Sequence, residues 1–157
     1  MKDAPEAGLV SATVLTDLGY QRGAGARPLA AFYAALLRSN VFSVRILGTT
    51  VLSLCYVATG RATALVAGLA ERDTPKPWDW CAGTLIAREA GCSLAMLDAR
   101  RHPPGDATKP PQGGADFDLF SRSAVCAASP GLAAELKALA LAAIAEGPWS
   151  PGSRTAV

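Results

Sequence analysis

Apolar and polar positions alternate along the chain with two periods, and the switches between them mark out the elements. Val10, Ala12 and Val14 alternate with Ser11 and Thr13, a period of two that predicts a strand ending near Asp17, Leu18 and Gly19. Gly23, Gly25 and Pro28 predict a loop. Pro28 then opens a helix running to about Arg38, because its fixed φ suits a first helical turn. Residues 41–47 predict a second strand stopped by Gly48, and residues 49–59 a buried helix closed by Gly60. A third strand is expected over residues 62–67, followed by a polar loop over 68–77. Residues 78–90 predict a helix with Gly91 past its end, and residues 93–97 a further strand. The last strand falls at residues 123–128, and residues 130–146 form an alanine-rich amphipathic helix. Strands alternating with helices predict an α/β fold, a layered sheet with flanking helices. The pattern leaves open whether that sheet is parallel or mixed.

At 157 residues and 16.1 kDa the chain has room for one domain. We expect a single α/β domain over residues 1–146, a proline-rich surface loop at 100–112 and a flexible tail at 147–157. Half the residues are hydrophobic and 18% are charged, which argues against intrinsic disorder. The net charge is +2, and the basic residues are scattered rather than clustered, so no nucleic acid partner is expected. The longest apolar stretches, residues 51–58 and 138–145, fall short of the roughly 20 residues that span a bilayer, so no membrane partner is expected either. The opening Met-Lys-Asp-Ala-Pro-Glu carries acids where a signal peptide is apolar. Cys55, Cys81, Cys92 and Cys126 lack Cys-x-x-Cys spacing and sit among apolar neighbours, which predicts buried free thiols in a reducing, cytoplasmic compartment. His102 stands far from every cysteine, which disfavours a zinc site.

Two segments carry candidate chemistry. In residues 76–91, Pro77 fixes the approach to a helix and Asp79 falls at its cap or first turn. A carboxylate there accepts unpaired backbone N–H groups and stays ionised in the positive end of the helix dipole. Such an oxygen ligand also suits a hard cation such as magnesium. The local pattern leaves both roles open, a cap and a metal ligand. Ala82, Gly83, Ile86 and Ala90 follow on roughly one face, which predicts close packing against the sheet. In residues 45–50, a strand stops at Gly48 and a helix begins with Thr49 and Thr50. Free N–H groups and hydroxyls at a helix start suit a phosphate or a polyol, and they suit capping equally. Trp78 and Trp80 are expected to anchor the helix start by packing.

Three stretches, residues 44–62, 77–91 and 113–129, together resemble the C-terminal half of the inositol monophosphatase family of magnesium-dependent sugar phosphatases. The second carries Trp-Asp-x-x-Ala-Gly followed by Glu-Ala-Gly, among the family's most specific signatures. Residues 14–19 resemble the strand that opens this half of the family fold. The resemblance covers most of the chain in the family's order. It implies that Asp79 is a Mg2+ ligand and that Gly48, Thr49 and Thr50 line the pocket for a small sugar or polyol phosphate. The reaction it implies is hydrolysis of a phosphate monoester by water that metal ions activate.

The departures from the family are equally specific. Its Glu-Glu pair and Asp-Pro-(Ile/Leu)-Asp-Gly-Thr motif belong to an N-terminal half and occur nowhere in this sequence. No catalytic residue is therefore expected in this chain, and one carboxylate alone does not assemble a multi-metal centre. The place of the glutamate that contacts inositol hydroxyls falls by count on Ala67, with Glu71 the nearest substitute, and Tyr20, Gln21 and Arg22 stand where small hydroxyl residues are common. These features predict a phosphatase half that is inactive alone. The alternative is a non-catalytic interaction domain whose uncovered apolar surface self-associates or pairs with a full-length relative.

Overall fold

The computed structural model describes residues 8–70, 74–97 and 117–145. The expected loop at 100–112, the tail at 147–157, Glu71 and His102 lie outside the described residues.

Among the described residues, nine strands and α-helices follow one another: β1 (Thr13–Thr16), α1 (Arg27–Arg38), β2 (Ser43–Ile46), α2 (Thr50–Ala58), β3 (Ala64–Ala67), α3 (Pro77–Glu89), β4 (Ser93–Met96), β5 (Ala124–Ala127) and α4 (Pro130–Ala145). The predicted elements are all present, with strands shorter than expected; β2 covers Ser43–Ile46 rather than 41–47 and β3 Ala64–Ala67 rather than 62–67. The first strand begins at Thr13 rather than Val10, because Leu9–Ser11 wind into a 3-10 turn. Ser11 N donates to Gly8 O at 3.1 Å and Ala12 N to Leu9 O at 3.0 Å, which leaves Val10 69% exposed.

The strands form one five-stranded mixed sheet in the order β2-β1-β3-β5-β4. β1 runs parallel to β2 and to β3, with Val14 beside both Val44 and Ala64. β5 runs antiparallel to β3 and to β4, pairing Cys126 with Leu65 on one side and Leu94 on the other. Only β5 is therefore reversed, and β1, β2, β3 and β4 all finish at the same rim.

Period-two alternation divides the core between the two faces of this sheet. Ala12 and Val14 of the β1 segment join Phe32 and Leu36 of α1 and Leu132, Leu136 and Ala140 of α4. Leu15, Leu65, Ala67 and Cys126 face the other way, against Leu54 and Val57 of α2 and Trp80 and Ala87 of α3. β3 is buried on both faces, so its sequence Ala-Leu-Val-Ala shows no polar alternation. Each large side chain fully buried here contributes about 1.5–3 kcal/mol, and that burial, rather than local propensity, holds strands of four residues in place.

Trp80 anchors the second layer. It is fully buried, its Nε1 donates to Ser121 O at 2.9 Å, and its ring meets Phe117 edge-on at 5.6 Å between centroids. Trp78, expected to pack, is instead 71% exposed. The buried face of α3 is Trp80, Gly83, Thr84 and Ala87, not the face of Ala82 and Ile86, both of which are exposed. The small residue on that face meets α2 rather than the sheet: a Cβ added at Gly83 stands 2.6 Å from Leu54 Cδ1. The four cysteines are free, but they are not uniformly buried; Cys126 is buried, Cys55 and Cys92 are half-buried and Cys81 is exposed. Among the described residues, no helix is long and apolar enough to cross a membrane.

Candidate functional site

Where β1 and β2 end and α3 begins, the chain leaves a cavity of about 560 Å³. Three segments line it: residues 17–20 after β1, residues 46 and 48–51 at the β2–α2 junction, and residues 74–76 with Asp79 at the start of α3. This is the crevice at the carboxyl ends of parallel strands, where adjoining connections leave to opposite faces: α1 covers one face and α2 the other. The structure thus brings together all four residues singled out in the sequence: Gly48, Thr49, Thr50 and Asp79.

Asp79 occupies the third position of α3, in its first turn. Its Oδ2 accepts a hydrogen bond from Lys76 N at 2.8 Å, while its own N donates to Lys76 O at 2.9 Å. The capping role is therefore real, and it uses one carboxylate oxygen. Oδ1 has no hydrogen-bond partner among the described residues. Pro77 at the first position lacks an N–H that would need satisfying, which suits a helix entering from an extended Lys76 at φ −103°.

Thr49 stands at the N-cap of α2 with an extended backbone, yet its hydroxyl makes no capping bond. Its carbonyl is occupied instead, accepting from Ser53 N at 3.2 Å and Ser53 Oγ at 2.7 Å. The hydroxyl and the first-turn N–H groups of α2 are left for another partner. Gly48 turns the chain from strand to helix at φ +71°, a left-handed conformation that L side chains rarely adopt, although a Cβ there would meet nothing within 4 Å. Conformation, not space, selects glycine.

Sequence reasoning missed Asp17. It reads as the end of a strand, yet it lines the cavity, and burial pushes its carboxyl above the ordinary aspartate range. An acid placed directly after a strand at its carboxyl end was the available signal. Lys76 also lines the cavity, with Nζ donating to Thr74 O at 3.1 Å. The charged lining is thus Asp17, Asp79 and Lys76, set beside the positive ends of two helices. Ala67 lies elsewhere, 1% exposed and paired with Ala124 in the sheet interior. Tyr20 reaches the cavity mouth and is 87% exposed.

Oxygen donors of this kind suit a hard divalent cation in type, but they fall short in number. Among the described residues, no group of three or more His, Cys, Asp or Glu side chains comes together. The cavity can offer a cation some ligands and an anion the N–H ends of α2, without assembling a complete metal centre.

The model of the inositol monophosphatase family matches residues 4–146. The chain belongs to that family. It is 36% identical to inositol monophosphatase 2 of Rattus norvegicus over 88 residues, which are 55% of this chain and 28% of that protein. Among solved structures, the Thermotoga maritima IMPase superposes with a TM-score of 0.64 at 21% identity, over 91% of this chain and 45% of that one. SaIMPase-II, solved with inositol monophosphate bound, superposes with a TM-score of 0.60 at 16% identity, over 91% of this chain and 47% of that one. At these identities the solved structures establish the fold. The match of this inositol monophosphatase family member covers less than half of either solved relative and about a quarter of the curated one.

Proposed function

We propose that this chain is the substrate-side half of a magnesium-dependent phosphatase acting on a small sugar or polyol phosphate monoester. The observation that supports the reading is that Asp79 and Thr49, whose hydroxyl makes no capping bond, line one cavity at two helix N-termini. In this reading Asp79 holds the magnesium ion. Gly48, Thr49 and Thr50 form the substrate wall, where first-turn N–H groups of α2 meet phosphate or hydroxyl oxygens. The cavity also suits an anion of modest size, and a solved relative of the same fold carries inositol monophosphate.

Bound magnesium supplies charge neutralisation and polarisation of the phosphoryl group. This chain's own residues orient and bind. The Lys76 N–H fixes the Asp79 carboxylate through one oxygen and leaves the other for a ligand, and Gly48 lets the backbone approach a ligand closely. The remaining carboxylates and the group that activates water must come from another segment or chain, so the isolated chain is catalytically silent. Inositol itself is disfavoured as substrate, because Ala67 offers no hydrogen bond and lies in the sheet interior.

The test uses manganese as a paramagnetic probe in place of magnesium. We expect Mn2+ to broaden amide resonances of residues 48–51 and 76–80 selectively, and Asp79→Asn to abolish that broadening. Uniform broadening, or broadening that survives the substitution, overturns the metal assignment. In a chain extended by the N-terminal half of a relative, Asp79→Asn is expected to cut phosphate release by orders of magnitude. Phosphate release from sugar phosphates at enzyme-like rates by the unextended chain overturns the claim of incompleteness.

A second reading, a non-catalytic interaction domain, is favoured by one observation. Trp78, Ala82, Leu85 and Ile86 form an exposed stripe on α3, opposite its buried face, so this helix is apolar on both sides. In this reading the stripe is covered by the half of the family fold that the chain lacks, supplied by a full-length relative.

A further inference from the structure

The sheet places two of the four cysteines side by side, at the rim away from the cavity. Leu94 of β4 stands opposite Cys126 of β5, and Ser93 opposite Ala127. Cys92 comes two residues before Leu94, so the pleat puts its side chain on the same face as Cys126, as a diagonal neighbour. Both belong to the cluster beneath α2 and α3, Cys126 fully buried and Cys92 half-buried at its edge.

We propose that Cys92 and Cys126 form an oxidative modification site: hydrogen peroxide oxidises Cys92, and Cys126 then closes an intramolecular disulfide linking β4 to β5. The geometry divides the roles. Cys92 is the more accessible of the two, while Cys126 is buried at 1% exposure. The Cys126 S–H donates to the Cys92 sulfur, which holds the Cys92 thiol down at about 7 and pushes Cys126 up. The Cys92 thiolate attacks peroxide, so that an S–O bond forms and the O–O bond breaks, releasing hydroxide. That hydroxide takes the Cys126 proton. The Cys126 sulfur then displaces hydroxide from the Cys92 sulfenic acid, forming S–S and breaking S–O. Two thiols and one peroxide become a disulfide and two waters. Diagonal strand neighbours stand about 7–8 Å apart at Cα, slightly beyond disulfide range, so closure shifts Cys92 toward Cys126. Cys92 lies one residue ahead of the β4 ladder, so its shift strains the Cys92 N–Ala87 O hydrogen bond of 2.9 Å rather than a strand pairing.

The test exposes the chain to hydrogen peroxide near neutral pH, alkylates remaining thiols under denaturing conditions and maps the peptides. We expect the Cys92 and Cys126 peptides to appear linked, lighter by two hydrogens, with exposed Cys81 still alkylated. Cys126→Ser keeps a donor but removes the second thiol, so Cys92 should accumulate as a sulfenic acid trapped by dimedone. Cys126→Ala removes the donor as well, and should slow the reaction of Cys92 on the order of tenfold. Recovery of both thiols alkylated, or stepwise over-oxidation of Cys92 in the unsubstituted chain without a cross-link, overturns the proposal.

Discussion

Asp17 tests the electrostatics of the cavity by itself. Its pKa is raised by burial, so the folded chain binds a proton more tightly there than the unfolded chain does. The stability tied to that proton is full below the ordinary aspartate value of about 3.9 and is lost as pH rises through the elevated folded value. Asp17→Asn is therefore expected to raise the melting temperature at pH 7 in the absence of divalent cations, with the gain shrinking as pH falls through the elevated value and gone below about 4. A thermal scan against pH measures both. Gly48→Ala is expected to lower stability in urea by about 1 kcal/mol from its backbone conformation alone, since no neighbour obstructs the new methyl group. The placement of residues at the cavity was legible in the sequence where a family signature marked them, as at Asp79 and Thr49. Asp17 escaped because its role depends on which strand end faces which helix start, and a single strand does not encode that.

The elements themselves were legible because glycine and proline punctuate them sharply, as Gly48, Gly60, Pro77 and Gly91 do. The error at Val10 arose because alternation over few residues fits a 3-10 turn as well as a strand. Sheet direction was beyond reach, since β3 and β5 pair across a gap of more than fifty residues and nothing local to either records its partner. The buried face of α3 was misjudged for a related reason: apolar residues occupy both of its sides, so periodicity has no contrast to read. The contact between α2 and α3 gives a direct check. Alanine at position 83 gains roughly 0.8–1 kcal/mol in helix propensity over glycine, but its Cβ would sit 2.6 Å from Leu54 Cδ1 and 2.9 Å from Leu54 Cβ. Overpacking of that kind costs about 1–3 kcal/mol, so Gly83→Ala is expected to be a net loss in urea denaturation. Pairing it with Leu54→Val, which trims the obstructing side chain, should recover part of that loss.

As a whole molecule, the chain folds about half of a larger family architecture around two core layers, and leaves an apolar stripe on α3 unburied. Sedimentation at increasing concentration is expected to show association, reduced when Trp78 and Ile86 are both replaced by Glu. Unchanged sedimentation in that variant would point to a different contact.

The reversal of β5 alone has a practical consequence. Because four strands deliver their ends to one rim, the tight turn at Thr59 and Gly60 between α2 and β3 sits on the far side from the cavity. A fluorophore or surface tether attached there would hold the molecule by its back and leave the mouth open to solution, which is the orientation an immobilised binding assay requires.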